Sequence, residues 1–339
     1  VSTVDGEPQP AEPPASRIAP TPRPPNQPGQ RGKPGKQPRS ETSKGLLYGL
    51  SAYGIWGILP LYFIILVPAG PFEIVANRIV WSLLFCVILL SVMRAWKPAI
   101  VAFRNPRILG ALTAAAVLIA GNWLIYVYGV TSGQAIEAAL GYFFNPLVSV
   151  LMGVIILKER LRRLQWVAVA VGFVAVVVLV VVYGSVPWIA LGLAFSFGSY
   201  GYVKKRVGRR VDAISSLSIE TAVLAPLAGG FMIWLAATGG ATLLSEGADH
   251  FWWMASSGII TAVPLIFFGA AAGRLPLSSM GMLQYMTPTL QFVIALVFLN
   301  EEMPLERWLG FGLVWVALVI LTVDMLRVAR TNRHLRRVA

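Results

Sequence analysis

One cysteine, two histidines and few acids set the first limits on this 339-residue chain. The lone Cys86 excludes a disulfide framework within the chain, and no cysteine and histidine cluster has zinc-site spacing, so no metal or cofactor is expected. His250 and His334 stand apart, in a loop and in the tail, and read as solvated. Charge is scarce: 13% of residues are charged, against about 25% in soluble domains. Hydrophobic residues make up 56%, and mean hydropathy is +0.69. Acids number 15 against 28 lysines and arginines, a net charge of +13. The apolar stretches also lack HExxH, a GxSxG elbow and paired aspartates, which leaves a membrane-embedded enzyme as the weakest functional reading.

What the chain has is apolar sequence in runs far longer than a soluble core needs, where one membrane span takes roughly 20 residues. Residues 1–45 differ. They hold many prolines, a quarter of the basic residues and almost no large apolar side chains, so they read as a disordered basic leader without the apolar core of a signal peptide. Ten apolar segments follow, at 46–67, 72–93, 108–131, 134–157, 164–183, 186–203, 215–237, 251–272, 277–299 and 305–326. A short basic tail, 327–339, closes the chain.

An offset of 142 residues aligns Pro146 with Pro288, Phe143 with Tyr285, Leu157 with Leu299, Glu159 with Glu301 and Trp166 with Trp308. The chain is therefore an internal duplication, with repeats at 46–183 and 184–326. Five spans per repeat is an odd number, so the second copy enters the membrane upside down. The expected fold is an all-α membrane protein of ten transmembrane helices in two inverted five-helix repeats.

Loop charges test that topology separately. Arg94, Lys97, Arg104, Arg107, Lys158, Arg160, Arg162, Arg163, Lys204, Lys205, Arg206, Arg209, Arg210, Arg274 and the arginines from 327 onward all fall on one side of the ten-span arrangement. The opposite loops hold Arg307 and acids such as Glu246, Asp249, Glu302 and Glu306. Both termini are thereby expected in the cytoplasm. The basic loops suit anionic lipid headgroups, and without a folded basic module no nucleic-acid partner is expected.

Ionisable groups inside spans carry the sharpest functional signal, because each costs at least about 2.5 kcal/mol at mid-bilayer. The candidates are Arg78, Glu137 and Glu220. Depth along the spans makes Glu137 the expected partner of Arg78 and leaves Glu220, with no basic residue in its own span, the better candidate for proton coupling; the competing reading is that Arg274 or the loop from Lys204 to Arg210 reaches it and holds it ionised. Pro146 and Pro288 free the carbonyls of Tyr142 and Gln284 near mid-depth, which points to paired helix breaks around a polar cavity. Asn122, Trp123, Asn145 and Tyr285 add polar and aromatic groups nearby, and Tyr53 and Trp56 supply aromatics from the first span. Taken singly, Asn122, Trp123 and Asn145 are explained somewhat better by interhelical packing than by ligand contact, and Tyr53 and Trp56 equally well by either.

With these stretches in view the chain resembles the RarD-type permeases of the EamA group, in the drug/metabolite transporter superfamily. The resemblance runs from about Gly45 to Asp324. It rests on Ala52-Tyr53 with Trp56-Gly57 and Pro60, Gly121-Asn122-Trp123, Glu137-Ala138 with Leu140-Gly141-Tyr142-Phe143, and Asn145-Pro146-Leu147. Further support comes from Gln165-Trp166, Glu220-Thr221, Gln284-Tyr285 with Pro288-Thr289-Leu290, and Trp315-Val316-Ala317-Leu318. Lys158 departs from the pattern, standing where the family usually has glycine. The resemblance implies secondary transport of small organic molecules or metabolites across the bacterial inner membrane, by alternating access. A channel or uncoupled facilitator on the same architecture is the alternative.

Overall fold

In hydrocarbon only a helix satisfies its own backbone within one segment, so long apolar runs fold as helices. The computed structural model describes residues 39–338 except 159, 185, 208, 209, 273 and 276. Within helices it leaves undescribed the side chains of 39, 40, 157, 182, 183, 205, 272, 277, 278, 281, 306, 325 and 328–338. Every regular element among the described residues is helical. They are α1 (Arg39–Gly57), α2 (Leu59–Ile65), α3 (Pro71–Val92), α4 (Trp96–Arg104), α5 (Pro106–Thr131), α6 (Ala135–Leu157) and α7 (Arg163–Tyr183). The remainder are α8 (Trp188–Val207), α9 (Ala213–Ala237), α10 (Gly247–Ala272), α11 (Leu277–Gln284), α12 (Met286–Val297) and α13 (Leu305–Val338).

Seven of the described helices are long and apolar enough to cross a membrane, and the bent α1–α2 pair brings the number to as many as eight. The protein is a multi-pass membrane protein. α8, at the place of the expected sixth span, is less apolar because Gly, Ser and Tyr fill its middle and cations its end. The expected ninth span is split at Tyr285 into α11 and α12. Of the expected leader, residues 1–38 lie outside the described residues, while 39–45 already form the first turns of α1. The basic stretch after residue 326 continues α13.

Proline behaves differently at different places. The α1–α2 pair is bent by 41° at Ile58, beside Pro60, whose ring disfavours a helical bond to the Trp56 carbonyl. That carbonyl accepts instead from Gln291 Nε2 of α12 at 3.0 Å. Pro146 was expected to break its helix as Pro288 does, yet α6 runs through it as one helix, as α9 and α10 do through Pro226 and Pro264. Only the second break occurs, where Tyr285 N–H bonds back to Met282 O at 3.3 Å. The turn after α6 is made despite the missing glycine: Lys158 takes φ 55° and ψ 32°, and its repeat counterpart Asn300 takes φ 51°.

The helices close a ring in the order α3, α9, α5, α8, α6, α12, α1, α10 and back to α3, each packed on the next. α7 and α13 pack on each other outside the ring, against α6. Small residues set the tightest seams. A Cβ on Gly141 would lie 2.8 Å from Ala190 O across α6 and α8, and one on Gly258 would lie 2.3 Å from Trp81 O across α10 and α3. His250, expected in solvent, is buried, its Nε2 3.0 Å from Thr242 Oγ1. Glu73 at the start of α3 fixes the same loop, accepting from Thr242 N at 2.7 Å and Leu243 N at 3.1 Å.

Candidate functional site

Arg78, two turns into α3, is 6% exposed. Its Nε donates to Thr261 Oγ1 of α10 at 2.8 Å, and its guanidinium lies over the Trp123 ring of α5 at 4.1 Å from the centroid. Phe63 of α2 lies below it at 5.7 Å. Arginine stays protonated even where buried, so the ring encloses a permanent cation. Trp123 offsets part of the lost hydration, since a desolvated cation–π contact is worth about 2 kcal/mol.

Asn122 and Tyr142 extend this group towards α8. The Tyr142 hydroxyl donates to Asn122 Oδ1 at 3.2 Å, while Asn122 Nδ2 donates to Leu193 O at 3.2 Å and Ser196 Oγ at 2.9 Å. Tyr126 joins Tyr142 to Phe63, with ring centroids 5.5 and 5.9 Å away. Its buried hydroxyl has no hydrogen-bond partner among the described residues, and neither has Asn145 Oδ1, which is buried on α6. Arg78, Asn122, Trp123 and Tyr142 thus form one connected cluster of predicted site residues.

Tyr53, Trp56, Gln284 and Pro288 belong to a different place, on the helices that meet where α1 packs on α11 and α12, and the Tyr285 hydroxyl bonds Thr322 of α13. There Thr287 Oγ1 donates to Tyr53 O at 2.9 Å, and Tyr53 and Trp56 stack edge-on at 5.6 Å with Phe268 behind them. Pro288 is buried. Gln284 and Tyr285 are half-buried, as are Tyr142 and Pro146 on α6.

Glu137 is not the partner of Arg78. Its carboxylate accepts from Ile189 N at 2.9 Å and Ala190 N at 3.4 Å, capping α8, where a helix N-terminus favours negative charge. Glu301 does the same for α6, accepting from Ile136 N at 3.0 Å, with Arg307 Nη1 3.9 Å from its other oxygen. Burial of this loop carboxyl raises its pKa from 4.5 to about 7, against the lowering effect of the Ile136 N–H and Arg307. A narrow recess of about 20 Å³ lies beside these caps, lined by Glu137 and Arg307 with apolar walls.

Glu220 does have a counter-charge. Lys204 of α8 reaches it at 2.6 Å, Ser216 Oγ donates to the same oxygen at 2.9 Å, and the Tyr200 hydroxyl donates to the other at 3.3 Å. Lys204 Nζ also donates to Ser216 Oγ. Sequence reasoning ended the sixth span at Val203, one residue short of the lysine, while α8 continues to Val207 and carries it inward. Thr261 and Tyr126 gave no sequence signal that separates them from packing residues. Glu301 did give one, as the repeat counterpart of Glu159. Among the described residues no group of three or more His, Cys, Asp or Glu is placed to hold a metal ion.

The model of the EamA-like transporter family matches the chain twice, at residues 43–181 and 185–323. The chain is 50% identical to Protein RarD of Streptomyces exfoliatus over 294 residues, covering 87% of this chain and 93% of that one. It is 41% identical to Protein RarD of Escherichia coli K12 over 292 residues, covering 86% and 97%. An uncharacterized transporter of Vibrio cholerae is 38% identical over 302 residues, with 88% and 98% covered. A crystal structure with 19% sequence identity superposes with a TM-score of 0.55 over 84% of this chain and 99% of that one, a likeness of fold alone.

Proposed function

Because the chain belongs to the EamA-like transporter family, we propose that this membrane transporter is a secondary permease of small organic molecules or metabolites, working by alternating access across a bacterial inner membrane with both termini in the cytoplasm. The observation that carries the proposal is the neighbour pattern of the ring. Adding 142 to each position turns α1 into α8, α3 into α9, α5 into α10, α6 into α11 with α12, and α7 into α13. Under that exchange the α5–α8 contact becomes α10–α1, α6–α8 becomes α12–α1, and α5–α9 becomes α10–α3. The α3–α9, α6–α12 and α7–α13 contacts map onto themselves, and each of these contacts is present. Such a pattern supports a two-fold relation between halves, and with five spans per half that relation is inverted. Ten spans follow when the α1–α2 pair, α8 and the α11–α12 pair are each counted as one crossing. Domain bounds of 46–183 and 184–326 go with this scheme.

The substrate path in this proposal runs inside the ring, past Arg78, Asn122, Trp123 and Tyr142 on one side. Tyr53, Trp56, Asn145, Pro146, Gln284, Tyr285 and Pro288 flank the path on the α1, α6 and α12 side, and Glu137 fixes the α8 end. Glu220 is the proposed coupling carboxylate, with Lys204 as the group a proton must replace. In the present state the lysine ties α8 to α9 through it; a state in which α8 and α9 part leaves Glu220 free to take a proton. Uptake into everted and right-side-out vesicles, with and without a pH gradient, tests the proposal. Gradient-driven accumulation supports a coupled carrier, and equilibration alone indicates a facilitator. A reporter active only in the cytoplasm, fused after Ala339, tests the orientation.

A further inference from the structure

We infer that the central site takes an organic anion, a compound with one carboxylate or comparable acidic group on an apolar body; the inference rests on the transporter reading for the site's location and goes beyond it in naming the charge. Among the described residues no acidic oxygen lies within 4.0 Å of the Arg78 guanidinium, although the residue is only 6% exposed. Glu137, the expected partner, and the other buried acids are occupied elsewhere. Glu137 caps α8, Glu220 holds Lys204, Glu301 caps α6, and Glu73, five residues before Arg78 on the same helix, holds the 242–243 loop. Of the five N–H donors of Arg78, the Nε group alone has a hydrogen-bond acceptor among the described residues, Thr261.

A buried cation with one neutral acceptor and two aromatic rings, Trp123 and Phe63, but no anion is short of compensation for its lost hydration. The missing element is an anion. A planar guanidinium with both terminal nitrogens unengaged matches the two oxygens of a carboxylate in a bidentate pair. The surroundings set the rest of the ligand. Trp123, Phe63, Tyr126 and Tyr142 offer ring faces to an apolar body, and the unpartnered Tyr126 hydroxyl is one further donor. A cationic ligand would meet like charge without a carboxylate to offset it. A neutral one would leave Arg78 as unpaired as before.

The test uses purified full-length protein in detergent and reads ligand-induced rise in Tm, which grows with ligand concentration over Kd. The probes are 3-phenylpropionate, 3-cyclohexylpropionate and indole-3-propionate, each beside its primary amide and its amine analogue. At least one acid is expected to bind wild type at least tenfold more tightly than its amide, with the amine no tighter than the amide. Arg78→Gln should abolish that acid preference and Arg78→Lys should keep part of it. The acid-to-amide comparison on wild type stands even if a variant fails to fold. Amides or amines binding as tightly as acids, no acid raising Tm, or an acid preference that survives in Arg78→Gln would each overturn the inference. Compounds that bind are then followed in vesicles. Binding of acids without any flux would sink the transporter reading and leave the charge assignment standing, while flux of neutral or cationic compounds alone would do the reverse.

Discussion

Substituting Gly258 by alanine should loosen the Arg78 cluster from one turn away. The added Cβ would sit 2.3 Å from Trp81 O and 2.6 Å from Trp81 C, both backbone atoms that cannot rotate aside. Restoring an ordinary contact requires α10 and α3 to separate by roughly 1 Å. Arg78 lies three residues before Trp81, and Thr261 three after Gly258, so the same separation stretches their 2.8 Å hydrogen bond beyond useful length. Overpacking costs about 1–3 kcal/mol, and a lost bond to a charged group about 1.5–3 kcal/mol more. A fall in Tm of several degrees is expected, together with weaker acid binding. Gly229→Ala is the control, since a Cβ there would meet nothing within 4 Å and alanine favours a helix by about 1 kcal/mol over glycine. If Gly258→Ala melts and binds like wild type, the close crossing does not hold the site.

Lys158→Gly should raise stability by about 1 kcal/mol, because glycine takes the left-handed φ of 55° without the steric penalty lysine bears; an unchanged or lower Tm would contradict this. Glu301 binds its proton more tightly folded than unfolded, so its contribution favours the folded state at low pH and is lost as pH rises from 4.5 through about 7. Glu301→Gln should therefore flatten the decline of Tm between about pH 5 and 7, and an unaltered pH profile would show that another group causes it. Glu220→Gln keeps the shape of the side chain but cannot titrate, so gradient-driven transport should vanish while exchange survives. Normal pH-dependent accumulation in that variant would remove Glu220 from the coupling step.

Helix positions were legible because about 20 apolar residues between polar links admit one structure in hydrocarbon. α3, α5, α6 and α7 begin and end within two residues of the expected bounds. Side-chain partners were less legible, since position along a span gives depth but not the face of the helix. Position along the spans put Glu137 near the depth of Arg78, yet its carboxylate caps the N-terminus of α8. For Glu220 it is the competing reading that the structure favours: Lys204, one residue past the expected end of its span, reaches the carboxylate as α8 continues to Val207. Of the two expected proline breaks, the one before Pro288 is present at Tyr285, while α6 absorbs Pro146 without a break; Pro60 adds one that was not expected, where the Trp56 carbonyl finds a side-chain partner in Gln291.

Substrate counterflow tests the central claim most directly. Proteoliposomes loaded with unlabelled 3-phenylpropionate, or whichever acid of the panel binds most tightly, are diluted into a trace of the labelled acid. A carrier that alternates access around Arg78 should accumulate label transiently above equilibrium, and Arg78→Gln should not. Equilibration without overshoot in the wild type, or an undiminished overshoot in Arg78→Gln, would contradict the account.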